Sequence, residues 1–163
     1  MSLDTLKDLY VEQLRDLYSA ENQILKALPK MEKAASHEEL RAAFEEHRQV
    51  TERQVERLDR IFEDLGERAT GHHCKGMEGL LKEGDEMVQE KGDESTIDAG
   101  LIAAAQRVEH YEIAGYGTVR TYAERLGFSE HAELLQRTLD EEGETDHRLT
   151  DLAESIINPD AQR

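Results

Sequence analysis

A chain of 163 residues has the length of one domain and can bury a core without disulfides or structural metals to staple it. Its 37 acidic against 20 basic residues give a formal charge of −17, which argues against nucleic acid and anionic membrane surfaces as partners, and no apolar run approaches the roughly 20 residues of a membrane span. Charged residues at 35%, aromatic residues at 5% and two prolines suit long helices better than sheets, so the expected class is all-α.

The chain opens on Met1-Ser2-Leu3-Asp4, with no basic n-region ahead of the first amphipathic stretch, and Cys74 is its one cysteine; a cytoplasmic protein without an intrachain disulfide is expected. The first predicted helix spans about residues 3–34. Its stripe is Leu6, Tyr10, Leu14, Leu17, Glu21, Ile24, Leu28 and Met31, in steps of three and four, with Ser2 as N-cap. Pro29 falls inside the pattern and removes a hydrogen bond to Leu25, which predicts a bend near the end.

Ser36 and Glu39 have capping-box spacing and start a second helix over about 37–65, whose stripe Leu40, Phe44, His47, Thr51, Gln54, Leu58, Ile61, Leu65 stops at Gly66. The link between these helices is short enough to force an antiparallel hairpin. From about 67 to 94, five glycines punctuate a weaker pattern around Met77, Leu80, Leu81, Met87 and Val88, which reads as a long crossover with one short helix. Ser95 and Asp98 suggest the cap of a third helix, about 96–126, with the stripe Leu101, Ala105, Val108, Glu112, Gly115, Val119, Tyr122, Leu126. A fourth, about 130–157, starts after Ser129 and carries Leu135, Leu139, Glu142, Asp146, Leu149, Leu152 and Ile156, with Pro159 beyond it. Two antiparallel hairpins joined by one long crossover is the connectivity of a ferritin-like four-helix bundle.

Each stripe spends an inward position near its middle on a polar side chain. Reflecting each hairpin through its turn sets Glu21 level with Thr51 and Glu112 level with Glu144, whose nearest inward neighbours are Glu142 and Asp146; Glu109 lies one turn from Glu112. No lysine or arginine falls on an inward stripe, although Arg48 and Arg120 lie at the flanks. Crowded carboxylates must hold protons at raised pKa or bind a divalent or trivalent cation, and oxygen ligands with an imidazole from His47 suit iron first, then manganese or zinc. The alternative turns these carboxylates toward water, paired with Arg48 or Arg120, and leaves His47 a hydrogen-bonded core histidine. Thr51, Gln54, Tyr18 and Tyr111 are expected beside the ligands, with Tyr116 and Tyr122 nearby. His72-His73-Cys74 is contiguous and lacks the spacing of a structural zinc site.

Several stretches together resemble the ferritin-like bundles and, within them, the YciF-like family of bacterial stress-associated proteins: Asp16-Leu17-Tyr18-Ser19-Ala20-Glu21, Leu28-Pro29-Lys30-Met31, His47 through Leu58, Cys74-Lys75-Gly76-Met77, Val108-Glu109-His110-Tyr111-Glu112 and Thr138-Leu139-Asp140-Glu141-Glu142. Ferritin-like di-iron proteins take one glutamate from each of two helices and a Glu-x-x-His pair from each of the others. The resemblance implies Glu21 and Glu112 as the single glutamates, but the second helix offers Thr51-x-x-Gln54 and the fourth Glu142-x-x-Thr145. A literal Glu144-x-x-His147 exists, yet at about 100° per residue Glu144 points roughly 200° away from Glu142. The implied function is a carboxylate-bridged di-iron or di-manganese centre, bridged by Glu112 or Glu142, that reacts with oxygen or peroxide. The alternatives are metal binding without turnover and a structural bundle whose site survives as a hydrogen-bond network. A homodimer is the expectation from base rates.

Overall fold

In the computed structural model, which describes residues 2–163, the chain forms α1 (Leu6–Ala34), α2 (Glu38–Leu65), α3 (Lys75–Gln89), α4 (Glu94–Leu126) and α5 (Ser129–Leu152), then a π-helical stretch (Ala153–Ile157) and the short α6 (Asn158–Ala161). The broadest packing is within the hairpins α1/α2 and α4/α5, and α3, in the crossover, lies against α1 and α4. The all-α bundle is therefore the architecture observed, with no strand among the described residues.

Local chemistry sets the helix starts, and it differs from the predicted caps. Thr5, not Ser2, begins α1: its hydroxyl accepts from the Asp8 amide while the Asp8 carboxylate accepts from the Thr5 amide at 2.8 Å, a complete capping box. The Ser2 hydroxyl instead donates to Asp4, and Leu6 stays exposed on the first turn. Pro29 lies on the exposed face and α1 runs on through it to Ala34.

At the start of α2 the capping residue is His37, whose Nδ1 accepts from the Glu39 amide; Ser36 does not cap. The amides of Ser36 and His37 donate to the carboxylate of Asp98, at 2.9 and 2.8 Å. Asp98 is thus not part of a cap for its own helix. It sits buried in α4 and binds the α1–α2 turn of the other hairpin, while Asp93 caps α4 by accepting from the Thr96 amide. Removing a buried acceptor strands two donors, so Asp98→Ala is expected to cost about 2–3 kcal/mol, measured as a lower urea midpoint at unchanged slope; a midpoint within about 0.5 kcal/mol of the parent would rule out this tie.

Beyond Leu152 the fourth helix does not end before Pro159. Its turn widens, with the Asn158 amide donating to the carbonyl of Ala153, and the chain re-enters α6 with Pro159 in the first turn, where a missing amide hydrogen costs nothing.

The core is divided in two. One apolar cluster, with Ile24, Leu28, Phe44, Leu101 and Ile157, fills one end of the bundle, and another, with Tyr10, Leu14, Ile61, Val119 and Leu135, fills the opposite end. Between them lies a buried layer of Glu21, His47, Thr51, Gln54, Glu109, Glu112, Thr138 and Glu142. Close to that layer α4 presses on α1: a Cβ at Gly115 would lie 2.7 Å from Leu17 Cδ2, so any larger residue there would have to displace the Leu17 side chain.

Candidate metal centre

Four helices converge on the layer. Glu21 comes from α1, His47 from α2 and Glu142 from α5, while Glu109 and Glu112, three residues apart and so on one face of α4, supply two carboxylates from a single helix. His47 is 4% exposed and the four glutamates 0–1%, so the alternative in which these carboxylates turn to water does not hold.

Their ligand atoms form two triads. In one, atoms of Glu21, Glu112 and Glu142 lie within 4.8 Å of one another; in the other, atoms of His47, Glu109 and Glu142 do. Glu142 belongs to both. Both oxygens of Glu109, Glu112 and Glu142, Oε2 of Glu21 and Nε2 of His47 are buried without a hydrogen-bond partner. His47 Nε2 lies 3.0 Å from Glu109 Oε1, but off the axis a hydrogen bond needs. An unsatisfied buried polar atom costs about 1–3 kcal/mol, and so many in one place require compensation by shared protons or by a cation.

Flanking arginines do not supply the missing charge. Arg48 binds Glu45 and Glu52 at 2.7 and 2.9 Å on the surface, and Arg120 binds Glu124 at 2.7 Å. Arg57 reaches the layer at Thr138, and it is engaged: it donates twice to Glu141, both at 2.7 Å, and once to Thr138. Gln54 Nε2 donates to the same Glu141, and the Thr51 hydroxyl donates back to the carbonyl of His47 at 2.8 Å. These contacts brace α2 against α5 around the ligands.

Electrostatics follows from the burial. Desolvation first, then the charge of Glu142, pushes the Glu21 carboxyl up to about 8, against the hydrogen bond from Tyr116. The same two causes hold Glu109 and Glu112 well above the usual carboxylate range. Burial lowers His47, outweighing the pull of Glu142, so its imidazole is neutral and its lone pair free for coordination.

Not every expected neighbour is at the layer. Asp146 is half-buried and faces the α4 flank, where its carboxylate meets His110 Nε2 at 3.1 Å and Gln106 Nε2 at 3.3 Å. Four residues beyond Glu142 is about 40° further round and one turn further along, which carries it off the layer. Glu144 and His147 are exposed, His147 facing Asp151, so the literal Glu-x-x-His pair stays outside. Tyr18 packs edge-on against Phe62 and interacts with Asp59. Tyr111 donates to Asp16 at 2.6 Å and touches Cys74 Sγ at 3.0 Å. The tyrosine at the layer is Tyr116, whose hydroxyl donates to Glu21 Oε1 at 2.5 Å. Its position four residues after Glu112 was the available signal, as was that of Thr138 four residues before Glu142. His72 and Cys74 both reach Asp16, His72 also meeting Glu12 and Cys74 also touching Tyr111, whereas His73 turns away to Glu78, so the three do not act as one ligand set.

A bundle of two hairpins and a helical crossover, with carboxylates and an imidazole buried at mid-helix, defines the protein as ferritin-like. The donor set can hold a metal ion. The chain belongs to the family described as a domain of unknown function, DUF892, which it matches over residues 5–162. It is 44% identical to Protein YciF of Escherichia coli (strain K12) over 99% of this chain and 98% of that protein. The crystal structure of the E. coli stress protein YciF superposes with a TM-score of 0.92 at 45% identity, covering 95% of this chain and 98% of that one. YcfI from Rhodopseudomonas palustris superposes with a TM-score of 0.88 at 42% identity, covering 91% and 95%. A Xanthomonas campestris protein shares the fold at 22% identity, with a TM-score of 0.77 and 97% of each chain covered.

Proposed function

We propose that this chain is a stress-associated metal protein in which Glu142 bridges two cations, one also held by Glu21 and Glu112, the other by His47 and Glu109. The observation that carries this reading is the shared carboxylate: two triads of unpartnered ligand atoms meet on one side chain. Iron comes first as occupant, then manganese or zinc, because carboxylate oxygens with one imidazole suit all three. Iron or manganese would supply one-electron chemistry toward oxygen or peroxide.

The protein's own part is positioning. The Tyr116 hydroxyl fixes one oxygen of Glu21, leaving the other as donor. Gln54 and Arg57, which both donate to Glu141, with Arg57 also donating to the Thr138 hydroxyl, hold α2 and α5 at their spacing, and the Thr51 back-bond steadies the turn that presents His47. Apolar clusters on both sides keep bulk water from the ligands. A homodimer and a cytoplasmic location remain part of the proposal.

Elemental analysis of protein from cells grown with iron and manganese tests the reading, alongside peroxide consumption. Near two metals per chain, with consumption lost in Glu112→Ala, is the expected result. No metal under any loading would overturn the site. Metal without consumption would leave a binding protein and remove the redox step.

A further inference from the structure

The four-helix arrangement is not sealed equally on all sides. α2 and α5 belong to different hairpins and meet along a thinner seam than α1 with α4, with Ala43, His47 and Val50 on α2 across from Glu141, Thr145 and Leu149 on α5. A cleft of about 160 Å³ opens there. His47 forms part of its wall and is also a member of the His47–Glu109–Glu142 triad, so one imidazole borders both the cleft and the buried layer. Its Nε2 is buried and unpartnered, at 4% exposure for the residue.

The cleft is acidic. Glu46, Glu141 and Glu144 line it, against a single arginine, Arg148. Glu141 is neutralised by Arg57, whereas Glu144 and Glu46 are exposed, and Arg148 reaches across the seam from α5 to bind Glu46 on α2. Both members of that pair are largely solvated, at 47% and 61% exposure, so separating them is easy.

We propose that the α2–α5 cleft is the route by which a divalent cation reaches the buried layer, with Glu46 and Glu144 as its outer carboxylates, Arg148 as a displaceable plug and His47 as the first ligand met inside. This rests on the metal-binding reading above. Two carboxylates at a narrow mouth concentrate cations there, and an approaching cation competes with the Arg148 guanidinium for Glu46. Passage then needs only side-chain rotation at the rim. No helix has to move.

The probe is Co²⁺, whose visible absorption reports ligation by carboxylates and imidazole, mixed in stopped flow with the metal-free full chain. The double variant Glu46→Gln/Glu144→Gln is expected to load about tenfold more slowly, the scale on which a focused field changes association rates, and to reach the parental stoichiometry. Arg148→Gln is expected to load about threefold faster, on the same ground. As a control of equal charge, Glu83→Gln/Glu86→Gln, exposed on α3 away from the seam, should load at the parental rate. Parental rates in both rim variants, or equal slowing in the α3 control, would overturn the route while leaving the metal site standing. No Co²⁺ spectrum in the parent would remove the site and the route together.

Discussion

Glu142→Gln is expected to abolish loading at both halves of the layer, taking the metal content from near two per chain to near zero. Glutamine keeps the shape of the side chain and removes its anionic donor, and Glu142 is the one residue common to both triads. Loss of a neighbour that merely orients a ligand already weakens a metal site about 10–100-fold; loss of a shared ligand acts on two cations at once. Glu21→Gln supplies the contrast, because it leaves His47, Glu109 and Glu142 intact and is expected to retain about one metal per chain. Elemental analysis beside Mn²⁺ titration calorimetry reads both variants. Two metals retained in Glu142→Gln would show that the bridge is elsewhere.

The second large effect is on stability, and its sign reverses with metal. A carboxyl whose folded pKa lies above its unfolded value stabilises the fold below the unfolded value, and that contribution is lost as pH rises through the folded one. For Glu21 the window runs from 4.5 to about 8, and Glu109 and Glu112 are shifted in the same direction. His47 acts oppositely, since a depressed folded pKa destabilises the fold as pH drops below 6.5, but it is one group against three. The metal-free protein is therefore expected to melt about 5–10 °C lower at pH 9 than at pH 5.5. Metal at a thousand times its Kd adds about 4 kcal/mol, or roughly 8–16 °C for a chain of this size, and because the carboxyls must shed protons to coordinate, the gain grows toward alkaline pH. Calorimetric scans with and without Mn²⁺ decide it. A metal-free protein that melts higher at pH 9 would show that the buried carboxyls are already ionised and compensated.

The bundle was legible because periodicity is a long signal. Steps of three and four over about seven turns name most of the buried face of α1 and α2, with Leu6 at the first turn left exposed, and a short link leaves only an antiparallel hairpin. Glu21, His47, Glu112 and Glu142 occupy such stripe positions, so the structure's placement of them in one layer follows from helix geometry alone. What sequence could not settle was rotation at the flanks. Asp146 and Tyr111 lie a fraction of a turn from inward positions, and local partners on α4 and α1, His110 and Gln106 for one and Asp16 for the other, decide which way they face. Caps failed for a related reason: Asp98 has the spacing of a local cap, but its acceptors serve the other hairpin, a tertiary contact that no local pattern encodes.

The divided core also says how this scaffold can diverge. Packed apolar clusters above and below hold the helices together without help from the storey between them. Ligands in that middle storey are consequently free to change, one side chain at a time, while register and hairpin pairing stay fixed by the ends. On such a scaffold a ligand can be exchanged, or one cation lost and its neighbour kept, with the fold intact; α2, which offers Thr51-x-x-Gln54 where the ferritin-like pattern has Glu-x-x-His, is where such an exchange would fall.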